Sequence, residues 1–357
     1  MGRLNNGQWI VEDVIPKSNN GEFMRQDSTF RDIISEEGKY PPETGRYHLY
    51  ISLACPWACR AYIFLKLKKL EKIITMSIVS PKMEDSGWTF KEDFPGVLPD
   101  TVLNTKFLYE VYQTSDPKFS GKVTVPVLFD KKTNTIINNE SSEIIRIFNS
   151  AFDKITGDSN DFYPEALRSE IDQINAYIYD NINNGVYKTG FAKNQEAYNK
   201  NVKALFEALD VIEERLEGKE TLVGSIVTEA DVRLFTTLAR FDAVYYVHFK
   251  CNLKMIREYK NLSRYLSDLY SLKAFKETTD FEHIKEHYYF SHKEINPTQI
   301  VPQGPREPIV VVQKSTPKTA DAPKVEVKKS EKEDEVEASD EIDGIEKNKN
   351  PEEVVIP

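Results

Sequence analysis

The run Cys55-Pro56-Trp57-Ala58-Cys59-Arg60 carries the residues best suited to chemistry in this chain, because it puts a thiol where a strand hands over to a helix. Proline fits the first turn of a helix, so Pro56 starts it and Cys55 precedes it, facing backbone N–H groups that have no helical partner. That end of a helix is partially positive and favours thiolate over thiol, and Arg60 is near enough in sequence to add to the effect. A free cysteine is only roughly 3% thiolate at neutral pH, so a pKa drop of about two units makes thiolate the majority form. The competing reading is a buried structural thiol.

The elements that position this thiol follow from periodicity. Residues 47–51 have strand composition, and residues 61–70 read as a mostly apolar helix. Further strands are expected at 73–79, 125–129 and 135–138, with a helix at 141–149. This βαβ then ββα order is that of an α+β thioredoxin-like domain, here with a long insertion at about 80–120. Beyond residue 160 the pattern is helical. Val202, Leu205, Phe206, Leu209, Ile212 and Leu216 mark one helix face, and Thr228-Glu229-Ala230-Asp231 has the form of a capping box. The expected organisation is an N-terminal extension over 1–45, a thioredoxin-like domain over 46–152, an all-helical domain over 160–300 and a tail over 301–357.

Two features of the first domain point to a ligand. Thr124-Val125-Pro126-Val127 places a proline at a strand entrance, where a cis bond would expose backbone groups to an extended ligand that pairs with Val125. Asn139-Glu140-Ser141-Ser142-Glu143 opens a helix, whose free N–H groups and Ser141 hydroxyl suit a carboxylate, while Glu140 suits an ammonium group. An ordinary helix cap accounts for Glu140 and Ser141 equally well. A ligand with a carboxylate and an ammonium at one end, a peptide in the middle and a thiol beyond is glutathione.

Composition narrows the class. The 357 residues include only three cysteines, at 55, 59 and 251, which suits a reducing compartment better than a disulfide framework. With no apolar signal core and no run near the length of a membrane span, the expectation is a soluble cytoplasmic protein. The net charge of −10 is uneven: from Val301 onward there are nine Lys and Arg against fourteen Asp and Glu, so half the excess lies in the last 57 residues. That segment is charged and nearly free of aromatics, which predicts disorder. No basic cluster calls for nucleic acid. His283 and His287 have a metal-like spacing, with His292 nearby, yet an ordinary helix face is expected there and no metal.

The chain resembles the glutathionyl-hydroquinone reductases, the Xi class of omega-like glutathione transferases. The resemblance is carried by Phe23-Met24-Arg25 with Ser28-Thr29-Phe30-Arg31, Gly45-Arg46-Tyr47-His48-Leu49-Tyr50, Ala54-Cys55-Pro56-Trp57-Ala58 and Gly87-Trp88. It continues through Val123-Thr124-Val125-Pro126-Val127-Leu128, Asn138-Asn139-Glu140-Ser141-Ser142-Glu143, Asn183-Asn184-Gly185-Val186-Tyr187-Lys188, Arg240-Phe241-Asp242-Ala243-Val244-Tyr245 and His287-Tyr288-Tyr289. Together these segments run over about residues 20–305, in order and at matching spacing.

The resemblance implies an enzyme that reduces glutathionyl-hydroquinones with glutathione through a mixed disulfide on Cys55, acting as a homodimer. It implies Tyr187 as the proton donor and Tyr245 and Tyr288 as hydroxyls that stabilise the thiolate. For glutathione it implies Trp88, the segment Lys122, Val123, Thr124 and Val125, and the pair Glu140 and Ser141. Lys122 stands where relatives often have arginine, and Cys59 where they commonly have histidine. A Cys55–Cys59 disulfide is disfavoured, because i and i+4 positions on a helix hold their Cβ atoms about 5 to 6 Å apart, against roughly 3.5 to 4.5 Å in a disulfide. The alternatives are a broader omega-like thiol transferase acting on mixed disulfides or dehydroascorbate, which needs Cys55 but not Tyr187, and a non-catalytic binding protein of the same fold.

Overall fold

The computed structural model describes residues 2–12 and 21–307; the expected disorder of the tail beyond residue 307 lies outside the described residues. At the centre of the N-terminal domain is β3 (Tyr47–Ile51), whose five residues are all buried, as befits a strand covered on both faces. β4 (Thr75–Ile78) pairs parallel to it, β5 (Val127–Asp130) antiparallel on its other side, and β6 (Thr135–Asn138) antiparallel to β5, giving the order β4-β3-β5-β6. Arg46 clamps the start of β3 to the end of β5 through a buried two-pronged bond to Asp130, Nε at 2.8 Å and Nη2 at 2.7 Å.

α1 (Pro56–Leu67) packs against α3 (Ser141–Ser150), so the β-α-β and β-β-α units anticipated from the sequence are present. The stretch 80–120 is less of an insertion than expected, because it holds α2 (Leu108–Ser115), which packs on β6. The N-terminal segment carries a hairpin of β1 (Gly2–Asn5) and β2 (Gln8–Val11) that the sequence reading left as an extension. Leu4 and Gly121 exchange both backbone hydrogen bonds, at 3.0 and 2.9 Å, which lays this hairpin alongside Lys122.

The rest is helical: α4 (Asp153–Thr156), α5 (Arg168–Ile178), α6 (Gly185–Gly190), α7 (Gln195–Arg215), α8 (Glu229–Arg240), α9 (Lys260–Ser271), α10 (Lys273–Glu277) and α11 (Phe281–Lys285). The expected face of α7 is buried from Val202 through Ile212, and Asp231 caps α8 by accepting from the Thr228 N–H at 2.7 Å. Three wider, π-type turns interrupt this domain, at Tyr179–Asn183, Phe241–Tyr245 and Glu286–Phe290. Such turns re-aim side chains and gather at functional sites. No helix among the described residues is long and apolar enough to cross a membrane.

Candidate active site

Cys55 caps α1 with extended backbone angles, and its own carbonyl receives the Cys59 N–H at 3.0 Å. Its sulfur donates to the Val125 carbonyl at 3.6 Å, so the strand-entrance proline segment and the thiol meet. The Val125–Pro126 bond is cis. Both lie on a cleft of about 280 Å³. Of the expected ligand residues, Trp88, Lys122, Val123, Thr124, Val125, Glu140 and Ser141 all line this cleft, as does Tyr187. Tyr245 and Tyr288 do not; they are buried behind Tyr187.

The three tyrosines form a chain of hydroxyls. Tyr187 and Tyr288 are 2.6 Å apart and Tyr288 and Tyr245 3.0 Å, and Tyr245 also bonds to Tyr187. The π-type turns account for the convergence: Tyr245 and Tyr288 sit within two of them, and Tyr187 follows the third by one short turn. Burial raises all three hydroxyl pKa values, which keeps them protonated at neutral pH.

The charge around Cys55 differs from the sequence expectation. Arg60 turns away: its Nη2 donates to Asn183 at 2.7 Å, its Nη1 to Ser141 at 3.4 Å, and its guanidinium lies 4.4 Å over the Trp57 ring. Burial pushes the Cys55 thiol up, against the Ala58 N–H, the charge of Arg240, the Trp57 N–H and the charge of Arg25, which all pull it down. The net direction is upward, opposite to the expected shift, because desolvation of the thiolate outweighs the helix end. Arg240 hangs the approach to the thiol from α8, donating to the carbonyls of Ala54 at 2.9 Å, Leu53 at 3.2 Å and Thr236 at 2.8 Å.

Glu140 serves in place as a helix cap. It accepts from the Ser142 N–H at 3.0 Å, the Ser142 hydroxyl at 2.9 Å and the Ser28 hydroxyl at 3.0 Å. Burial pushes its carboxyl up, but those hydrogen bonds and the charge of Arg60 hold it below the usual carboxylate range, so it remains an anion on the cleft wall. Trp88 stacks on His287, ring centres 4.7 Å apart, and Trp9 of the N-terminal hairpin joins it on the cleft.

Cys59 is buried with its sulfur donating to the Thr278 carbonyl at 3.5 Å, and all three cysteines are free. The histidines differ from an ordinary helix face. His283 and His287 reach the carbonyls of Pro95 and Pro81 at 2.6 and 3.0 Å, and His292 meets His248 at 3.2 Å. His283 and His287 thereby fasten the 81–95 loop to the last helices. Among the described residues no group of three or more His, Cys, Asp or Glu side chains is arranged to hold a metal.

Residues the sequence reading gave no role also face the cleft, above all Arg25, Trp57 and Phe23. Their signal was in hand, since Phe23 and Arg25 stand in one recurring segment and Trp57 in the Cys55 run; what was missing was the long-range contact that puts them together.

Glutathione S-transferase family models match the chain twice, the N-terminal domain at residues 54–151 and the C-terminal domain at residues 195–267. The chain is 49% identical over 313 residues to glutathionyl-hydroquinone reductase YqjG of Escherichia coli (strain K12), covering 85% of this chain and 95% of that one. It is 49% identical over 311 residues to glutathionyl-hydroquinone reductase PcpF of Sphingobium chlorophenolicum, covering 87% and 98%. The glutathione-bound structure of YqjG matches with a TM-score of 0.79 at 47% identity, over 85% of this chain and 96% of that one. The glutathione-S-transferase Xi of Phanerochaete chrysosporium matches with a TM-score of 0.78 at 51% identity, over 79% and 97%.

Proposed function

The chain belongs to the glutathionyl-hydroquinone reductases of the glutathione S-transferase family, and from that premise we propose how its own residues perform the reaction. It is an enzyme that reduces S-glutathionyl-hydroquinones to hydroquinones with glutathione. The Cys55 thiolate attacks the sulfur of the glutathionyl group; an S–S bond forms as the bond from sulfur to the ring carbon breaks. The sulfurs are oxidised to a mixed disulfide and the ring is reduced by the same two electrons. Before that attack the ring carbon has taken a proton from Tyr187. A second glutathione, as thiolate, attacks the glutathionyl sulfur of the mixed disulfide, frees Cys55 as thiolate and departs as oxidised glutathione, and its proton restores Tyr187.

The observation that carries this reading is the Cys55 sulfur and the Tyr187 hydroxyl opening on one cleft, with Tyr288 and Tyr245 hydrogen-bonded in line behind. A Tyr187 phenolate left by proton transfer receives a hydrogen bond from Tyr288, which in turn receives one from Tyr245. Glutathione fits the other side of the cleft. Val125 offers its backbone to the peptide, Glu140 its carboxylate to the ammonium group, and Ser141 at the start of α3 its hydroxyl to the carboxylate. Trp88 and the run Lys122, Val123 and Thr124 close the wall. The division at 46–152 and 160–300, a homodimeric assembly and a cytoplasmic location complete the proposal.

Purified protein given a glutathionylated hydroquinone and glutathione should release hydroquinone in a Cys55-dependent manner. Turnover of mixed disulfides or dehydroascorbate without hydroquinone release would place it among omega-like thiol transferases, and glutathione binding without either turnover would make it a binding protein.

A further inference from the structure

The cleft has two ends of different character. Around Glu140, Ser141 and Lys122 it suits glutathione; around Trp57, Tyr187 and Phe23 it is aromatic, with the guanidinium groups of Arg25 and Arg60 against Trp57. Arg25 is exposed, yet it is held in place. Its guanidinium carbon lies 4.5 Å from the centre of the Trp57 ring, 5.1 Å from that of Tyr187 and 5.4 Å from that of Phe23, and its Nε donates to Asn184 at 2.6 Å. Among the described residues its two terminal nitrogens donate to nothing, whereas Nη2 of Arg31 on the same cleft is engaged with Glu143. The Arg25 charge acts on both the Cys55 thiol and the Tyr187 hydroxyl, and all three side chains line one cleft, so a ring held between thiol and hydroxyl falls within reach of that guanidinium.

The reaction creates an anion there. When the carbon bonded to sulfur takes its proton from Tyr187, the adjacent hydroxyl gives its own to the Tyr187 phenolate and the ring passes through its keto form. Attack by Cys55 then forms the S–S bond and breaks the C–S bond, and the electron pair comes to rest on the ring oxygen as a phenolate, which takes its proton back from Tyr187 before the second glutathione restores that residue. Resting on the reductase reading above, we propose that Arg25 is a specificity-determining residue whose terminal N–H groups receive this oxygen, so that the aromatic end of the cleft selects leaving groups that depart as ring oxyanions. A planar guanidinium fixed by stacking meets such an oxygen with two parallel hydrogen bonds and needs no rearrangement as the charge appears.

The test compares two substrates that share Cys55 and glutathione: a glutathionylated hydroquinone, and the mixed disulfide of glutathione and mercaptoethanol, which has no ring oxygen. Arg25→Gln should lower kcat/KM for the hydroquinone by about 100-fold, well beyond any loss on the disulfide, as for removal of an oxyanion donor. Arg25→Lys should recover part of that loss, since it restores the charge without the planar fork. Equal losses on both substrates, with Cys55 alkylation slowed by the same factor, would overturn the role and make Arg25 a prop for the thiol or the fold. If Arg25→Gln does not fold, Asn184→Ala, which releases the Nε tether, should show the same selectivity, and equal losses there would overturn it too. Wild-type protein that reduces the disulfide but releases no hydroquinone defeats the reductase reading itself; selective wild-type turnover with unselective variants defeats only the role of Arg25.

Discussion

The hydroxyl of Tyr187 lies 2.6 Å from that of Tyr288, joining a side chain that faces the cleft to one that is buried. A lone tyrosine that gave up its proton beside a thiolate would face that negative charge with water as its only relief. Here the next donor is already aligned, and a third, Tyr245, follows at 3.0 Å. The chain keeps the proton donor aimed before substrate arrives.

Replacing Tyr187 with phenylalanine should therefore slow hydroquinone release by about 100-fold to 10,000-fold, the usual range for losing a general acid. Tyr288→Phe should cost less, about 10-fold, because it removes one hydrogen bond to the acid and not the acid itself. Single-turnover release of hydroquinone is the measurement. Unchanged release in Tyr187→Phe would reassign the proton to another group.

Cys55→Ser should abolish turnover, while Cys59→Ala should keep both turnover and a glutathione adduct on Cys55 visible by mass spectrometry, since Cys59 is a buried free thiol that bonds the Thr278 carbonyl and does not line the cleft. Because burial raises the Cys55 thiol, its alkylation in the absence of substrate should keep accelerating as pH climbs past about 8.5, the ordinary thiol value. A plateau already reached near neutral pH would contradict that direction.

Gly87 has φ of +72°, and a Cβ built on it would meet Cη2 of Trp9 at 2.8 Å. Gly87→Ala thus combines a left-handed backbone, costing roughly 1–2 kcal/mol, with a displaced indole. The expected result is a lower melting temperature together with a higher KM for glutathione, as Trp88 shifts with its neighbour. A stability loss with KM unchanged would separate the hairpin from binding.

Buried imidazoles set a pH dependence of stability. Burial lowers His48, His248 and His287 to about 4 and His292 further, so the folded state holds them neutral while the unfolded chain takes up protons below about pH 6.5. The stability they contribute is present above that value and falls as pH drops toward 4. Between about pH 7.5 and about pH 5.5 the loss should be roughly 1 kcal/mol for each imidazole, read as a lower urea midpoint. Asp231, Asp242 and Glu286, raised by burial, act in the opposite sense from the ordinary carboxylate range upward and offset part of this loss, so the rings themselves are to be followed by NMR. Imidazole resonances that titrate between about pH 7.5 and about pH 5.5 in the folded protein would contradict their depressed values.

What the sequence revealed and what it hid divide along contact distance. β3, β6 and the start of α3 fell where alternation and the Glu140 segment placed them, because local pattern and capping decide those boundaries. α2 was legible in principle: Leu108, Val111 and Tyr112 are spaced for one helix face, but the polar, proline-rich run before them obscured it. The charge partner of Cys55 was not legible at all. Arg60 is adjacent in sequence and turns to Asn183, while Arg240 comes from α8. The tyrosines were chosen by family likeness, and their union depends on π-type turns that periodicity does not reveal.

Arg240 holds the carbonyls of Leu53 and Ala54, the two residues immediately before the nucleophile, and belongs to the helical domain. The reactive thiol is thus suspended from a bracket anchored in the other half of the molecule. A substitution that slackens the seam between the halves, even one remote from the cleft, is transmitted along that bracket to the sulfur. The alkylation rate of Cys55 then works as a strain gauge for the whole seam, and a change in it will betray a loosened assembly before unfolding does.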